Sequence, residues 1–139
     1  MDSENSACIC EPSARAVLLD TYAWVEFFQG TKKGEKVKSI LSSEKCCTSI
    51  LSIAELVKWC RREGLEPMKL AKTVKENSTI LYLNDFIAIG AGNAAFELRK
   101  QIKNWGLIDA LIYAIGLFYG LTLLTGDEHF NGLEHVEMM

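Results

Sequence analysis

Five short runs rich in apolar or β-favouring residues punctuate the chain: Ala16-Val-Leu-Leu-Asp20, Cys46-Cys-Thr-Ser-Ile50, Thr79-Ile-Leu-Tyr-Leu83, Leu121-Thr-Leu-Leu-Thr125 and His135-Val-Glu-Met138. Each has strand length. The first and fourth are apolar at consecutive rather than alternate positions, the pattern of strands buried on both faces. Between the runs lie stretches with helical spacing: Tyr22–Phe28, Lys32–Leu41, Ser52–Arg62, a helix opened by Pro67, Phe86–Ile102 with Asn84 or Asp85 as its cap, and Leu107–Tyr119. A short helix is expected before the last run. Buried strands alternating with helices predict an α/β three-layer sandwich, a parallel sheet of about five strands flanked by helices.

The Ser52–Arg62 helix should bury Ile53, Leu56, Val57 and Cys60. Leu107–Tyr119 is apolar nearly all round, which predicts a helix buried on every side. The 17 residues from Ala110 to Gly126 carry no charge, which invites a membrane reading. That length is at the short limit for a ~30 Å hydrocarbon core. Gly116 and Gly120 also interrupt it, so a buried helix, a glycine turn and a buried strand explain it better.

The chain of 139 residues fits one domain. Residues 1–14, Ser-rich and with Pro12, read as a flexible arm, leaving 15–139 as the domain. The N-terminus carries Asp2 and Glu4 and lacks the basic segment and apolar run of a secretory signal. The five cysteines are odd in number, and Cys46 and Cys47 are neighbours that a strand points to opposite faces. Reduced thiols in a cytoplasm follow. The net charge of −3 excludes a uniformly basic nucleic-acid binder. All 15 lysines and arginines lie at or before Lys103, whereas the last 36 residues hold Asp109, Asp127, Glu128, Glu134 and Glu137.

In open α/β sheets, sites form beyond the carboxyl ends of strands, where the strand order reverses. Asp20 closes the first strand and Asp127 follows the fourth. Asp109 stands in the first turn of the most apolar helix, and Glu55 one turn into the Ser52–Arg62 helix. Each has an ordinary use: Asp20 as an N-cap, Asp109 as a complement to the helix dipole, Asp127 in a turn, Glu55 on a solvated face. If the four converge, their repulsion raises their pKa values and calls for a cation. A hard divalent ion takes such oxygens together with water and substrate phosphate.

Four segments carry a resemblance: Leu18-Leu19-Asp20-Thr21, Ser52-Ile53-Ala54-Glu55-Leu56, Ile108-Asp109-Ala110-Leu111-Ile112 and Leu123-Leu124-Thr125-Gly126-Asp127. In order and spacing, from Val17 to Met138, they resemble the PIN-domain nucleases, and in size and layout the VapC-type toxin ribonucleases. The resemblance implies a five-stranded parallel sheet and Mg²⁺- or Mn²⁺-dependent hydrolysis of RNA phosphodiesters by an endoribonuclease. It places the acidic residues on Asp20, Glu55, Asp109 and Asp127 and the small hydroxylic residue on Thr125. On that reading Asp20, Asp109 and Asp127 hold the metal directly or through water, Glu55 belongs to the same metal set and orients or deprotonates the attacking water, and Thr21 and Thr125 fix the carboxylates. Lys58, Arg61 and Arg62, which follow Glu55, are candidates for the RNA backbone.

The family also implies an antitoxin protein that blocks the pocket, and a homodimer. Tyr22 departs from the family, which often has a smaller residue there, as do residues 1–15 and bulky Ile115. Tyr22, Trp24, Phe27 and Phe28 crowd one short helix, and part of that set is expected to form an interface. Alternatives are a catalytically silent PIN-like module binding RNA or protein, a PIN nuclease of RNA processing, and a phosphoacceptor receiver domain. The receiver needs a late lysine that is missing. No G-x-S-x-G, P-loop or H-E-x-x-H motif occurs.

Overall fold

The computed structural model describes residues 15–139; the expectations for residues 1–14, with Cys8 and Cys10, lie outside them. Strand β1 (Ala16–Leu19) leads into helices α1 (Thr21–Gln29) and α2 (Lys32–Ser43). Then come β2 (Lys45–Ser49), α3 (Ile50–Glu63), α4 (Pro67–Asn77) and β3 (Thr79–Leu81). The chain continues through α5 (Asp85–Leu98), α6 (Leu107–Tyr119), β4 (Thr122–Thr125), a 3₁₀ turn (Glu128–Phe130) and β5 (Val136–Met138). The strands form one parallel sheet in the order β3-β2-β1-β4-β5.

β1 sits at the centre, with Leu18 opposite Cys47 on one side and Leu123 on the other. Val17 and Leu19 enter the core cluster formed with α1, α3 and α4, and Leu18 enters the one formed with α5 and α6. All three are fully buried, as a central strand covered on both faces requires. Cys46 and Cys47 likewise divide between the two clusters, and with Cys60 they are free thiols. The strand order reverses between β1, which runs out to β2 and β3, and β4, which runs out to β5. A crevice at the carboxyl ends of β1 and β4 follows from that reversal.

Three expectations change. First, α5 stops at Leu98 rather than Ile102. No helix breaker is responsible, for residues 99–103 are good helix formers. The chain folds back so that Trp105 is buried and Ile102 packs on the α5–α6 cluster, with Asn104 at φ 62°. Second, α3 buries Ser52, Leu56, Trp59 and Cys60, leaving Ile53 and Val57 half-buried. Inserting Trp59 into the core rotates the expected face.

Third, α6 is buried along one side only. Ala110, Ile112, Tyr113, Ile115 and Gly116 face inward, whereas Leu107, Ile108, Leu117, Phe118 and Tyr119 are exposed. Neighbouring α5 exposes Phe86 (72%), Ile89 and Phe96 (66%). The aromatic set of α1 behaves in the opposite way. Trp24 is fully buried, and Phe27 and Phe28 pack against it at ring-centroid distances of 5.5 and 5.7 Å. The fold covers Trp24, whereas Tyr22, Phe27 and Phe28 stay half-buried, and the most exposed aromatics are Phe86 and Phe96 on α5, Phe118 on α6 and Tyr82 ahead of α5.

Candidate active site

Asp20 follows the last residue of β1, and its backbone N–H donates to the Leu124 carbonyl of β4 at 3.1 Å. It occupies the N-cap position of α1, but its side chain makes no capping hydrogen bond. The carboxylate turns instead toward β4, where the Thr125 hydroxyl donates to Oδ2 at 2.7 Å. Asp20 is only 4% exposed. Burial pushes its carboxyl up from 3.8 to about 6; the Thr125 hydroxyl pulls it down, and the nearby charges of Glu55 and Asp127 push it up.

The same Thr125 oxygen accepts the Asp127 backbone N–H at 2.9 Å. One buried hydroxyl thus fixes Asp20 from β1 and the turn that presents Asp127 after β4. Asp127 Oδ1 in turn accepts the His129 backbone N–H at 2.9 Å, which shapes the 3₁₀ turn.

Asp109 stands in the first turn of α6, where Oδ2 accepts the Gly106 backbone N–H at 3.4 Å. The His129 Nδ1 approaches that oxygen at 3.0 Å and Asp127 Oδ1 at 3.6 Å. One donor atom from each of Asp109, Asp127 and His129 lies within 4.8 Å of the others. On the other wall, the Thr21 hydroxyl donates to Glu55 Oε1 at 2.6 Å, joining the start of α1 to α3.

These groups meet in a cleft of about 380 Å³ lined by Asp20, Glu55, Asp109 and Asp127, together with Thr21, Tyr22, Glu26, Trp59 and Arg62. All four carboxylates singled out in the sequence line it, and each threonine hydroxyl donates to one of them, Thr21 to Glu55 and Thr125 to Asp20. Of the three basic candidates Arg62 lines the cleft, whereas Lys58 and Arg61 are exposed outside the lining. The stripe of α3 that reaches the cleft runs 55, 59, 62, at helical spacing, and bypasses 58 and 61. Arg62 is largely exposed and lies 4.0 Å from Glu63.

Sequence reasoning missed His129, Glu26 and the wall formed by Tyr22. The signal for His129 was its place two residues after Asp127, a spacing that a tight turn folds back on itself. Tyr22 packs against Gly126: a Cβ there would come 2.2 Å from the ring. The Tyr22 hydroxyl accepts the Lys33 ammonium at 3.1 Å.

The donor set fits a divalent cation. Carboxylates from four segments line one cleft, the His129 imidazole stands against two of them, and Asp20 is ionised at neutral pH only at a burial cost that a cation offsets. Oxygen-rich donors of this kind suit Mg²⁺ or Mn²⁺.

The family model for the PIN domain matches residues 17–136. Among solved structures, the fold is similar to a toxin-antitoxin complex from Klebsiella pneumoniae (22% identity, 88% of this chain and 96% of that chain, TM-score 0.68). It is similar to VapBC-1 from nontypeable Haemophilus influenzae (23%, 89% and 96%, TM-score 0.68). It is also similar to VapC20 of Mycobacterium tuberculosis, a sarcin-ricin loop cleaving toxin (14%, 85% and 95%, TM-score 0.65). No similarity to a curated protein was found.

Proposed function

The chain belongs to the PIN domain family, and we propose that it is a metal-dependent endoribonuclease, the toxin of a toxin-antitoxin pair. The observation that carries this reading is the convergence of Asp20, Glu55, Asp109 and Asp127, from four separate segments, on one cleft at the reversal in strand order. A silent binding module has no use for a buried carboxylate kept in reach of three others, and the complete acid set weighs against it.

In this reading Asp20, Asp109 and Asp127 hold Mg²⁺ or Mn²⁺, directly or through water. When bound, such an ion polarises the phosphoryl oxygen and acidifies a water. Glu55, held by Thr21, orients that water and takes its proton. The water oxygen would bond to phosphorus as the bond from phosphorus to the 3′-oxygen breaks and that oxygen takes a proton from solvent, leaving a 5′-phosphate and a 3′-hydroxyl. Thr125 keeps Asp20 and the Asp127 turn in register. Arg62 binds a flanking phosphate at the mouth of the cleft.

RNA, rather than another phosphodiester, is the substrate that the family resemblance favours, and one protein of similar fold is a sarcin-ricin loop cleaving toxin. Two others come from toxin-antitoxin complexes, which supports an antitoxin partner for this chain. A homodimer fits the apolar α5–α6 face. There a groove of about 220 Å³, with small residues Gly90, Ala94 and Ala114, lies beside Phe86, Leu117 and Phe118. A two-fold interface needs ring and groove side by side on one surface. No helix among the described residues is long and apolar enough to cross a membrane, and the reading places the protein in the cytoplasm.

The test is cleavage of a labelled RNA by the purified chain with Mg²⁺ or Mn²⁺. Activity should vanish in excess EDTA and return with the metal. Equal cleavage with and without EDTA would overturn the reading.

A further inference from the structure

We infer that His129 is itself a ligand of the cleft's cation, supplying one nitrogen beside the carboxylate oxygens and biasing the centre toward first-row transition cations over Mg²⁺. The inference rests on reading the cleft as a metal centre and deepens it.

Three observations carry it. The first is spacing. Neighbouring donors around an octahedral ion at ~2.1 Å stand about 3.0 Å apart. His129 Nδ1 lies 3.0 Å from Asp109 Oδ2 and 3.6 Å from Asp127 Oδ1, and a donor atom from each of the three lies within 4.8 Å of the others, close enough to share one ion. The second is fixation. The His129 backbone N–H is tied to Asp127 Oδ1, and the turn that follows ends in fully buried Phe130. The imidazole is therefore aimed by the same turn that aims the carboxylate, and little ordering remains for a cation to impose. The third is polarity. The ring is partly exposed, and the hydrogen-bond partner of its Nδ1 among the described residues is the Asp109 carboxylate, itself part of the cleft lining, so the imidazole stands against the acids of the cleft.

Ligation through Nδ1 needs the neutral ring with its proton on Nε2, which points the N–H outward. Imidazole is a borderline donor that Mg²⁺ takes poorly and that first-row ions accept increasingly from Mn²⁺ through Co²⁺. Replacing one of the oxygens around the ion by nitrogen therefore changes which ion the site prefers without changing its charge.

The probe is Mn²⁺, followed by electron paramagnetic resonance on the full chain, with Mg²⁺ measured by competition. The wild type should show nitrogen coupling to bound Mn²⁺. His129→Ala and His129→Gln, checked for folding by thermal melts, should lose that coupling. Both should bind Mn²⁺ at least about tenfold more weakly while their Mg²⁺ affinity moves less than about threefold. Retention of Mn²⁺ affinity in both variants with no nitrogen coupling in the wild type overturns the inference, and His129 then only steadies Asp109. Equal losses for both ions overturn it as well, since a positioning residue predicts that. Failure of the nuclease reading looks different: Mn²⁺ binds with nitrogen coupling, yet RNA is not cut.

Discussion

The cleft and the α5–α6 face break the inside-outside rule in opposite senses. In the cleft a carboxylate is sealed to 4% exposure among other acids; on the flank Phe86, Phe96 and Phe118 stand 72, 66 and 51% exposed. The two costs are of different kinds. A buried charge without a counterion makes the fold less stable, whereas exposed rings leave the fold intact and make the surface adhesive. Each departure therefore points to a missing partner of its own chemistry, a cation in one place and an apolar protein surface in the other. Removing the offending group should raise the stability of the metal-free fold at the first site and leave it nearly unchanged at the second.

The largest effect is expected at Asp20. Asp20→Asn keeps an oxygen for the Thr125 hydroxyl and removes the charge, so cleavage should fall by at least ~10²-fold. In EDTA the same variant should melt higher than the wild type. Cleavage rates and metal-free melts on the same samples check both halves. A variant that is inactive and also less stable would mean that the carboxylate is a structural element, and the contrast with the flank would disappear.

The pH dependence sharpens that claim. The folded carboxyl of Asp20 titrates at about 6 against 3.8 when unfolded. The folded state thus holds the proton more tightly. The stability this gives relative to the ionised form is complete below 3.8 and is lost as pH rises to about 6. At ~1.4 kcal/mol per pH unit the metal-free cost is about 3 kcal/mol at pH 7 and about 1 kcal/mol at pH 4.5. Denaturant unfolding of wild type and Asp20→Asn at both pH values isolates this group. Saturating Mn²⁺ should remove most of the gap at pH 7. A gap independent of pH would sever the link between burial and charge.

On the flank, Phe118→Glu should leave the melting temperature within a few degrees and shift the chain from dimer to monomer in light scattering. A ring that serves as an interface hot spot costs about 2 kcal/mol or more of association when lost, or about thirtyfold in Kd. If the wild type is already monomeric at ~100 μM, the exposed rings do not serve a second copy.

The two regions also differed in how far the sequence foretold them. The acids of the cleft were legible because three of them sit at places any α/β sheet brings together, the ends of β1 and β4 and the start of the helix leading into β4. His129 and Tyr22 were not, because a 3₁₀ turn and a ring lying on Gly126 depend on contacts between segments distant in sequence. The flank was misread. An all-apolar pattern in α6 looks the same whether a neighbour covers it or a partner is still to come, and only the packing of α5 decides. Similarly, the four aromatics of α1 read as one crowded set, yet Trp24 is fully buried in the core and the other three are half-covered. Composition counts apolar groups, but topology decides which of them find cover.

The smallest effect should come from the wall between Tyr22 and Gly126. Gly126→Ala places a methyl 2.2 Å from the Tyr22 ring, too close for the ring to stay. The backbone of residue 126 runs between Thr125 and Asp127, which are fixed by hydrogen bonds, so the side chain is what moves. Swinging out, Tyr22 gives up its hydrogen bond to Lys33, and the cleft wall opens. Overpacking of this kind costs about 1–3 kcal/mol. RNA cleavage should fall only severalfold, since none of the four acids is touched. Tyr22→Ala combined with Gly126→Ala should recover most of the stability, because the clash is then gone. If the double variant is as unstable as the single one, the glycine is needed by the backbone and not by the ring. Residue 126 would then belong to the charged side of the comparison, holding the Asp127 turn, and not to a wall that merely shapes the cleft.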